Sequence, residues 1–286
     1  MKIILKYTLR VTALLLLVAI GLCGCNAKSE TSAPTESESA TQSETAKPTQ
    51  KPTSKPKPTE TQITLGQAEQ GAPKKRVAIT FDDGPDDKNT KMLVDALKEY
   101  GFSATFFVVG QKLDGTKMDG SDILKYVLDN GNEVGVHAYT NSTPYDATCT
   151  DERFESEMTK TAEAIHAIVP DYEIKLMRPV QGKITDERVA ASPYSVIHWS
   201  IDTLDWKYTD RYTEAKKNEN ILTIVNKVLS RVEAGDIVLM HDIHDNSYEA
   251  ALIILEELYY AGYEVVTVSE LLGEGREVGR RYYSAK

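Results

Sequence analysis

The chain of 286 residues is poor in cysteine and tryptophan, with three and two of them. Cys23 and Cys25 fall within the first 25 residues, so Cys149 stands alone in the remainder. No disulfide framework is available there, and the fold has to be held by its own apolar core, for which 41% hydrophobic residues suffice. Cys149 reads as an incidental free thiol rather than a nucleophile. Basic charge is scarce as well: 33 Lys and Arg face 43 Asp and Glu, a net charge of −10. Setting aside Lys2, Lys6 and Arg10 of the opening segment takes that value from −10 to −13 for the rest. So acidic a body argues against nucleic acid as a partner and against tight binding of anionic cell-wall polymers, and it is compatible with a neutral or amino sugar substrate. Long apolar runs are limited to Val11–Leu22, which is short for a membrane span. Between Asn26 and Ala72 there is no aromatic residue at all.

What is there divides the chain into three. Residues 1–25 have a basic start, an apolar middle and the ending Leu22-Cys23-Gly24-Cys25. This ending resembles the lipobox of bacterial lipoproteins, and Cys25 is the expected lipidated residue; an ordinary signal peptide or uncleaved anchor is the alternative. The resemblance implies an exported protein, lipid-anchored to the outer face of the cell membrane and facing the cell wall. Residues 26–72 are rich in Ser, Thr, Glu, Lys and Pro, with Lys47-Pro48, Lys51-Pro52, Lys55-Pro56 and Lys57-Pro58 close together. This composition buries too little to order itself and reads as an extended tether. At roughly 3 Å per residue it spans on the order of 100 Å. Residues 73–286 form the folded domain.

That domain begins with Val77-Ala78-Ile79-Thr80-Phe81, an apolar run ending in Asp82-Asp83-Gly84-Pro85. Paired carboxylates at a strand end admit two readings: a turn whose Asp side chains bond the next backbone N–H groups, or a reactive pair. Periodicity predicts helices over 90–100, 121–130, 152–168, 221–232 and 250–261. Strands are expected at 105–109, 133–136, 195–200, 236–240 and 265–268, and Lys175-Leu176-Met177 leads into Arg178-Pro179. Strand and helix alternate, which is the pattern of a parallel α/β fold. Six or seven βα units are too few for a full eight-fold barrel, so a distorted, incomplete (β/α) barrel is expected. Asp82, Asp83, His137, Arg178, Asp202, Asp205 and His241 all follow predicted strands, which brings them to one rim.

Three of these stretches, in this order, resemble the polysaccharide deacetylases of carbohydrate esterase family 4, the NodB homology domain. They are Thr80-Phe81-Asp82-Asp83-Gly84-Pro85, Asp202-Thr203-Leu204-Asp205-Trp206 and Leu239-Met240-His241. The resemblance covers about residues 75–272 and implies a seven-stranded, TIM-like NodB barrel that removes acetyl groups from sugars with a divalent metal. Zn²⁺ is expected, with Co²⁺, Mn²⁺ or Ni²⁺ as alternatives. Carried over, Asp82 is the general base, oriented by Arg178. Asp83 and His137 are metal ligands. His241 is the general acid, held by Asp205. Trp206 and Leu239 form the pocket for the acetyl methyl, although Trp206 reads equally as a core aromatic.

Two motifs depart from the family pattern. In His137-Ala138-Tyr139-Thr140-Asn141 the spacing is kept, but Asn141 stands where the family has a second His ligand. Arg178-Pro179-Val180-Gln181-Gly182 has Gln181 in place of an aromatic whose backbone N–H helps hold the oxyanion. His244 is a weak second candidate for the missing ligand, while His166 and His198 read as structural. The expected partner is a polysaccharide, peptidoglycan N-acetylglucosamine first, with chitin-type oligomers or acetylated xylan as alternatives. A monomer is expected. A glycan-binding member with lost catalysis is the rival class.

Overall fold

An apolar run with a single hydroxyl is satisfied only inside a sheet covered on both faces. In the computed structural model, Val77–Phe81 lies at the heart of β1 (Lys75–Asp82) and is fully buried. The structure describes residues 63–69, 71, 73–208 and 213–286. The leader, Cys25 and most of the tether lie outside these residues. Packing begins earlier than residue 73: the Ile63 N–H donates to Asn226 Oδ1 at 2.8 Å and the Ala68 N–H to the Tyr260 carbonyl at 2.9 Å.

Strand and helix alternate as expected after β1: α1 (Asn89–Tyr100), β2 (Thr105–Val109), α2 (Ser121–Asp129), β3 (Glu133–Ala138), α3 (Asp151–Ile168) and β4 (Leu176–Met177). Then come α4 (Asp186–Ala191), β5 (Ser195–Ile197), β6 (Ile201–Asp202), α5 (Glu214–Leu229), β7 (Ile237–His241), α6 (Asp245–Tyr260), β8 (Tyr263–Val265), α7 (Val268–Leu272) and β9 (Arg281–Tyr282). The strands pair in parallel in the order β6-β7-β1-β2-β3-β4-β5-β9, with β8 also on β1. The sheet curls into an incomplete (β/α) barrel, open between its two ends. β1, β2, β3, β6 and β7 finish on one rim, whereas β8 ends below it, with Val265 opposite Val77.

The sequence expectation needs four corrections. There are nine strands among the described residues rather than seven. The single strand expected over 195–200 is two. β5 pairs with β4, and after residues 198–200 the chain crosses to pair β6 with β7 at the other end of the sheet. Alternation reports burial and cannot report a change of partner. The last expected strand stops at Val265, because Thr267 caps α7. The Glu270 N–H donates to Thr267 Oγ1 at 3.2 Å, and the Thr267 N–H donates back to Glu270 Oε2 at 3.0 Å. Finally, a strand not expected from the sequence follows α7. β9 adds to β5, and the Ala285 N–H donates to the Gly235 carbonyl at 2.8 Å.

Helix α6 packs against α1 and α5, and Leu93, Val225, Ile254 and Leu258 of these helices, all without solvent exposure, share one core with residues of β1 and β7. Replacing Ile254 by Ala removes three buried carbons from this layer. Chemical denaturation should show a loss of about 3 kcal/mol; a loss under about 1 kcal/mol would mean that the layer collapses to fill the space.

Candidate active site

Strand register builds the site. Asp82, the last residue of β1, is the Cα partner of His241, the last of β7. Asp202, which ends β6, pairs with Leu239. His137 lies one residue from the end of β3, and Arg178 follows β4 directly. All the sequence-predicted residues except Arg178, Asp205 and Cys25 line one cleft of about 570 Å³: Asp82, Asp83, His137, Asn141, Gln181, Trp206, Leu239 and His241. Arg178 and Asp205 are buried behind it.

Arg178 has no solvent exposure. Its Nη1 donates to Asp82 Oδ1 at 2.8 Å and to Thr80 Oγ1 at 2.6 Å. Its Nε and Nη2 donate to the carbonyls of Ile197 and His198 at 3.2 and 2.9 Å. Burial pulls the guanidinium pKa down, and the Asp82 charge and hydrogen bond oppose that. Asp82 is thereby fixed in a charged pair at the floor of the cleft.

The next three residues meet at one carboxylate. Asp83 Oδ1 lies 3.2 Å from His137 Nε2 and accepts from Asn141 Nδ2 at 2.7 Å. His137 is 4% exposed, and its Nδ1 donates to the Arg178 carbonyl at 2.9 Å, so the Nε2 side faces Asp83. Burial tends to raise the Asp83 pKa, but the His137 hydrogen bond and charge outweigh it and hold the carboxyl at about 2. Burial lowers the His137 pKa, and the charges of Asp82 and Asp83 more than reverse that. Among the described residues no three His, Cys, Asp or Glu side chains converge as a metal cluster. A divalent cation nevertheless fits the donor chemistry here: a carboxylate held ionised, an imidazole with its Nδ1–H already engaged, and an amide.

The second dyad is His241–Asp205. His241 Nδ1 donates to Asp205 Oδ1 at 2.8 Å, and the backbone N–H groups of His241 and Trp206 donate to the same carboxylate at 2.8 and 3.0 Å. Burial disfavours the imidazolium, but the hydrogen bond and charge of Asp205 prevail and raise the His241 pKa to about 9. His241 is therefore a cation at neutral pH.

The backbone is shaped around the cleft. Asp83, Asn141, Gln181 and Leu204 are the non-glycine residues at positive φ among the described residues, at 72°, 54°, 56° and 54°, and all four belong to its loops. Such conformations cost about 1–3 kcal/mol each and persist only where the surroundings impose them. One such constraint is Glu157 of α3, which is buried. Its Oε2 accepts from the N–H groups of Tyr139 and Thr140, both at 2.7 Å, and so sets the turn that carries Asn141.

A profile of the family described as Polysaccharide deacetylase matches residues 69–193. A peptidoglycan-N-acetylglucosamine deacetylase of Bacillus cereus is 35% identical over 207 residues, which cover 70% of this chain and 89% of that protein. The chain belongs to the polysaccharide deacetylase family. The peptidoglycan-N-acetylglucosamine deacetylase PgdA of Listeria monocytogenes is 32% identical over 78% of this chain. The chain spans 44% of that relative's length. Two solved structures share the fold. One, described as T48 deacetylase with substrate, has a TM-score of 0.63 and 34% identity, covering 73% of this chain and 96% of its own. The other, a family 4 acetyl xylan esterase from Clostridium thermocellum with a cobalt ion, has a TM-score of 0.63 and 27% identity, covering 73% and 98%.

Within this deacetylase fold two readings change, those of Trp206 and His244. Trp206 is 50% exposed on the cleft, which rules out a core role. His244 precedes α6 and does not line the cleft. His198 is buried, and Cys149 is a buried free thiol. Thr80, Trp199, Lys183 and Glu157 were missed. For Glu157 the signal was an acid four residues after Arg153 on the inward face of a helix; the two meet at 2.5 Å.

The His241 pKa is open to direct measurement. By NMR it should titrate near 9 in the intact protein and well below that in Asp205→Asn. The folded value lies above the unfolded one of about 6.5, so the dyad's contribution to stability is complete below that pH and is lost as pH rises through about 9. The stability gap between the two proteins should narrow over that window; a gap that is constant with pH would contradict the assignment.

Proposed function

We propose that this chain is a metal-dependent deacetylase of N-acetylated cell-wall polysaccharide, with N-acetylglucosamine in peptidoglycan as its foremost substrate. The observation that carries the reading is the sharing of one cleft by two buried dyads of opposite task. Asp82 is a carboxylate held by Arg178, and His241 is an imidazolium held by Asp205. A base and an acid maintained in different protonation states are what amide hydrolysis requires, because water must lose a proton while the departing nitrogen gains one.

Asp83, His137 and Asn141 would hold the divalent ion, Asn141 by presenting its carbonyl oxygen. When bound, such an ion supplies Lewis acidity toward the acetyl carbonyl and the attacking water. Asp82 takes the proton from that water. His241 gives its Nε2 proton to the leaving amine, while Asp205 keeps the ring oriented through Nδ1. The acetyl methyl rests between Trp206 and Leu239, and the backbone at Gln181 serves the developing oxyanion. Sugar deacetylation at a cell surface suits the lipid-anchored, tethered arrangement expected for residues 1–72. Relatives named as peptidoglycan deacetylases support the choice of polymer.

One observation favours a second reading. Asn141 donates to Asp83 through its nitrogen, so the third position is a weaker ligand than histidine, and a glycan reader with lost catalysis would keep the same cleft.

Purified protein supplied with Zn²⁺ or Co²⁺ should release acetate from N-acetylated glycan strands, and Asp82→Asn should cut kcat by about 10²-fold or more. No acetate with any divalent ion would overturn the enzyme reading. Asn141→His should tighten Zn²⁺ binding in a calorimetric titration. If that variant releases acetate where the native chain does not, the native chain is the reader.

A further inference from the structure

Gln181 and Gly182, at φ 56° and 68°, turn the chain so that Lys183 reaches the cleft that holds Asp82, Asp83 and His241. The turn is tightly fixed. The N–H of Gly182 donates to the Pro179 carbonyl at 2.9 Å, that of Lys183 to Val180 at 3.1 Å, and that of Tyr145 to the Lys183 carbonyl at 3.0 Å. A Cβ on Gly182 would stand 2.8 Å from the Trp199 ring, so the turn has no room to relax. The Lys183 side chain itself is exposed.

Among the described residues lining the cleft, Lys183 is the single lysine or arginine, and the side-chain carboxyl groups there are those of Asp82, Asp83 and Asp202. Its ammonium joins no ion pair among the described residues. Lys88, Lys217 and Lys286, by contrast, meet Asp245, Glu249 and Asp236 at 2.6, 2.6 and 2.8 Å. Its charge contributes to the lowered pKa of the Asp146 carboxyl, after the hydrogen bonds from Thr148. A fixed turn thus sets a lysine that joins no ion pair among the described residues at the lining of the reaction cleft, in a chain whose net charge is −10.

We propose that Lys183 is a specificity-determining residue that pairs with a carboxylate on the glycan next to the reacting acetamide. The substrate class is then an N-acetylated polymer bearing carboxylates, on a lactyl ether of the neighbouring sugar or on a peptide attached to it, and not a neutral homopolymer. This rests on the deacetylase reading above and narrows it. The acidity of the whole body does not oppose it, because at physiological salt exposed charges act over only about 8 Å. An exposed pair of this kind is worth up to about fivefold in affinity. It acts on binding, so the change belongs in KM rather than kcat.

Acetate release with Zn²⁺ is compared on three substrates: neutral N-acetylchitooligosaccharide, peptide-free strands alternating N-acetylglucosamine with N-acetylmuramic acid, and the same strands bearing peptides. In Lys183→Ala the ratio of kcat/KM for acidic over neutral glycan should fall about fivefold. It should fall further in Lys183→Glu, recover in Lys183→Arg, and shrink toward one value for all proteins at high salt. A fall on peptide-free strands assigns the lactyl carboxylate; a fall confined to peptide-bearing strands assigns the peptide. A ratio that is the same in all four proteins overturns the proposal. Equilibrium binding of the same glycans needs no turnover and separates the two claims. Tighter binding of acidic glycan by the native chain than by Lys183→Ala, without acetate release, upholds Lys183 and overturns the reaction. Acetate release indifferent to Lys183 does the reverse.

Discussion

The site depends on one buried guanidinium. Arg178 reaches Asp82 and Thr80 of β1 and the carbonyls of Ile197 and His198 beyond β5, and its ring neighbour is Phe107 of β2 at 4.3 Å. Its own backbone joins the arrangement. The Arg178 N–H donates to the Val136 carbonyl at 2.8 Å, and its carbonyl takes the Nδ1–H of His137. One residue therefore sets both the carboxylate proposed as base and the imidazole proposed as ligand. Burying a charge this deeply costs several kcal/mol unless it is paired and its donors are satisfied. Here each guanidinium nitrogen has an acceptor and Asp82 supplies the counter-charge, which holds the group in this geometry.

The parallel sheet makes such convergence possible. β1, β3, β6 and β7 deliver their last residues to the same rim, and the register of β1 with β7 sets Asp82 against His241. The two dyads are then tuned by opposite means. Asp82 is paired with a permanent cation, Arg178, whereas His241 is paired with a buried anion, Asp205. Between them Asp83 gathers an imidazole and an amide, which are the donors a divalent cation would replace with itself. The four strained backbone positions all surround this region, which places the cost of the fold where its chemistry is proposed.

Much of this was legible in the sequence, for a definite reason. Buried parallel strands are unbroken apolar runs, so Val77–Phe81 and Ile237–Met240 announce themselves, and the polar residues that end them become visible by contrast. Trp206 was open because a tryptophan after an acid fits a core or a cleft equally well, and only exposure decides. The crossing from β5 to β6 was hidden, since Ser195–Ile201 looks like a single strand whichever neighbours it has. β9 was hidden because two residues carry no periodicity. Glu157 and Lys183 were hidden for another reason: a buried acid and an unpaired lysine are identical in sequence to their solvated counterparts, and their meaning comes from what tertiary packing sets beside them.

The central claim is that Asp83, His137 and Asn141 form a cation site served by the two dyads. Diffraction from crystals grown with Co²⁺, recorded at the cobalt absorption edge, tests it most directly. The account predicts one anomalous peak bonded to the Asp83 carboxylate and His137 Nε2, with the Asn141 amide oxygen or a water on it completing the third position. A cleft without such a peak, with Asp83 still joined directly to His137 and Asn141, would contradict it.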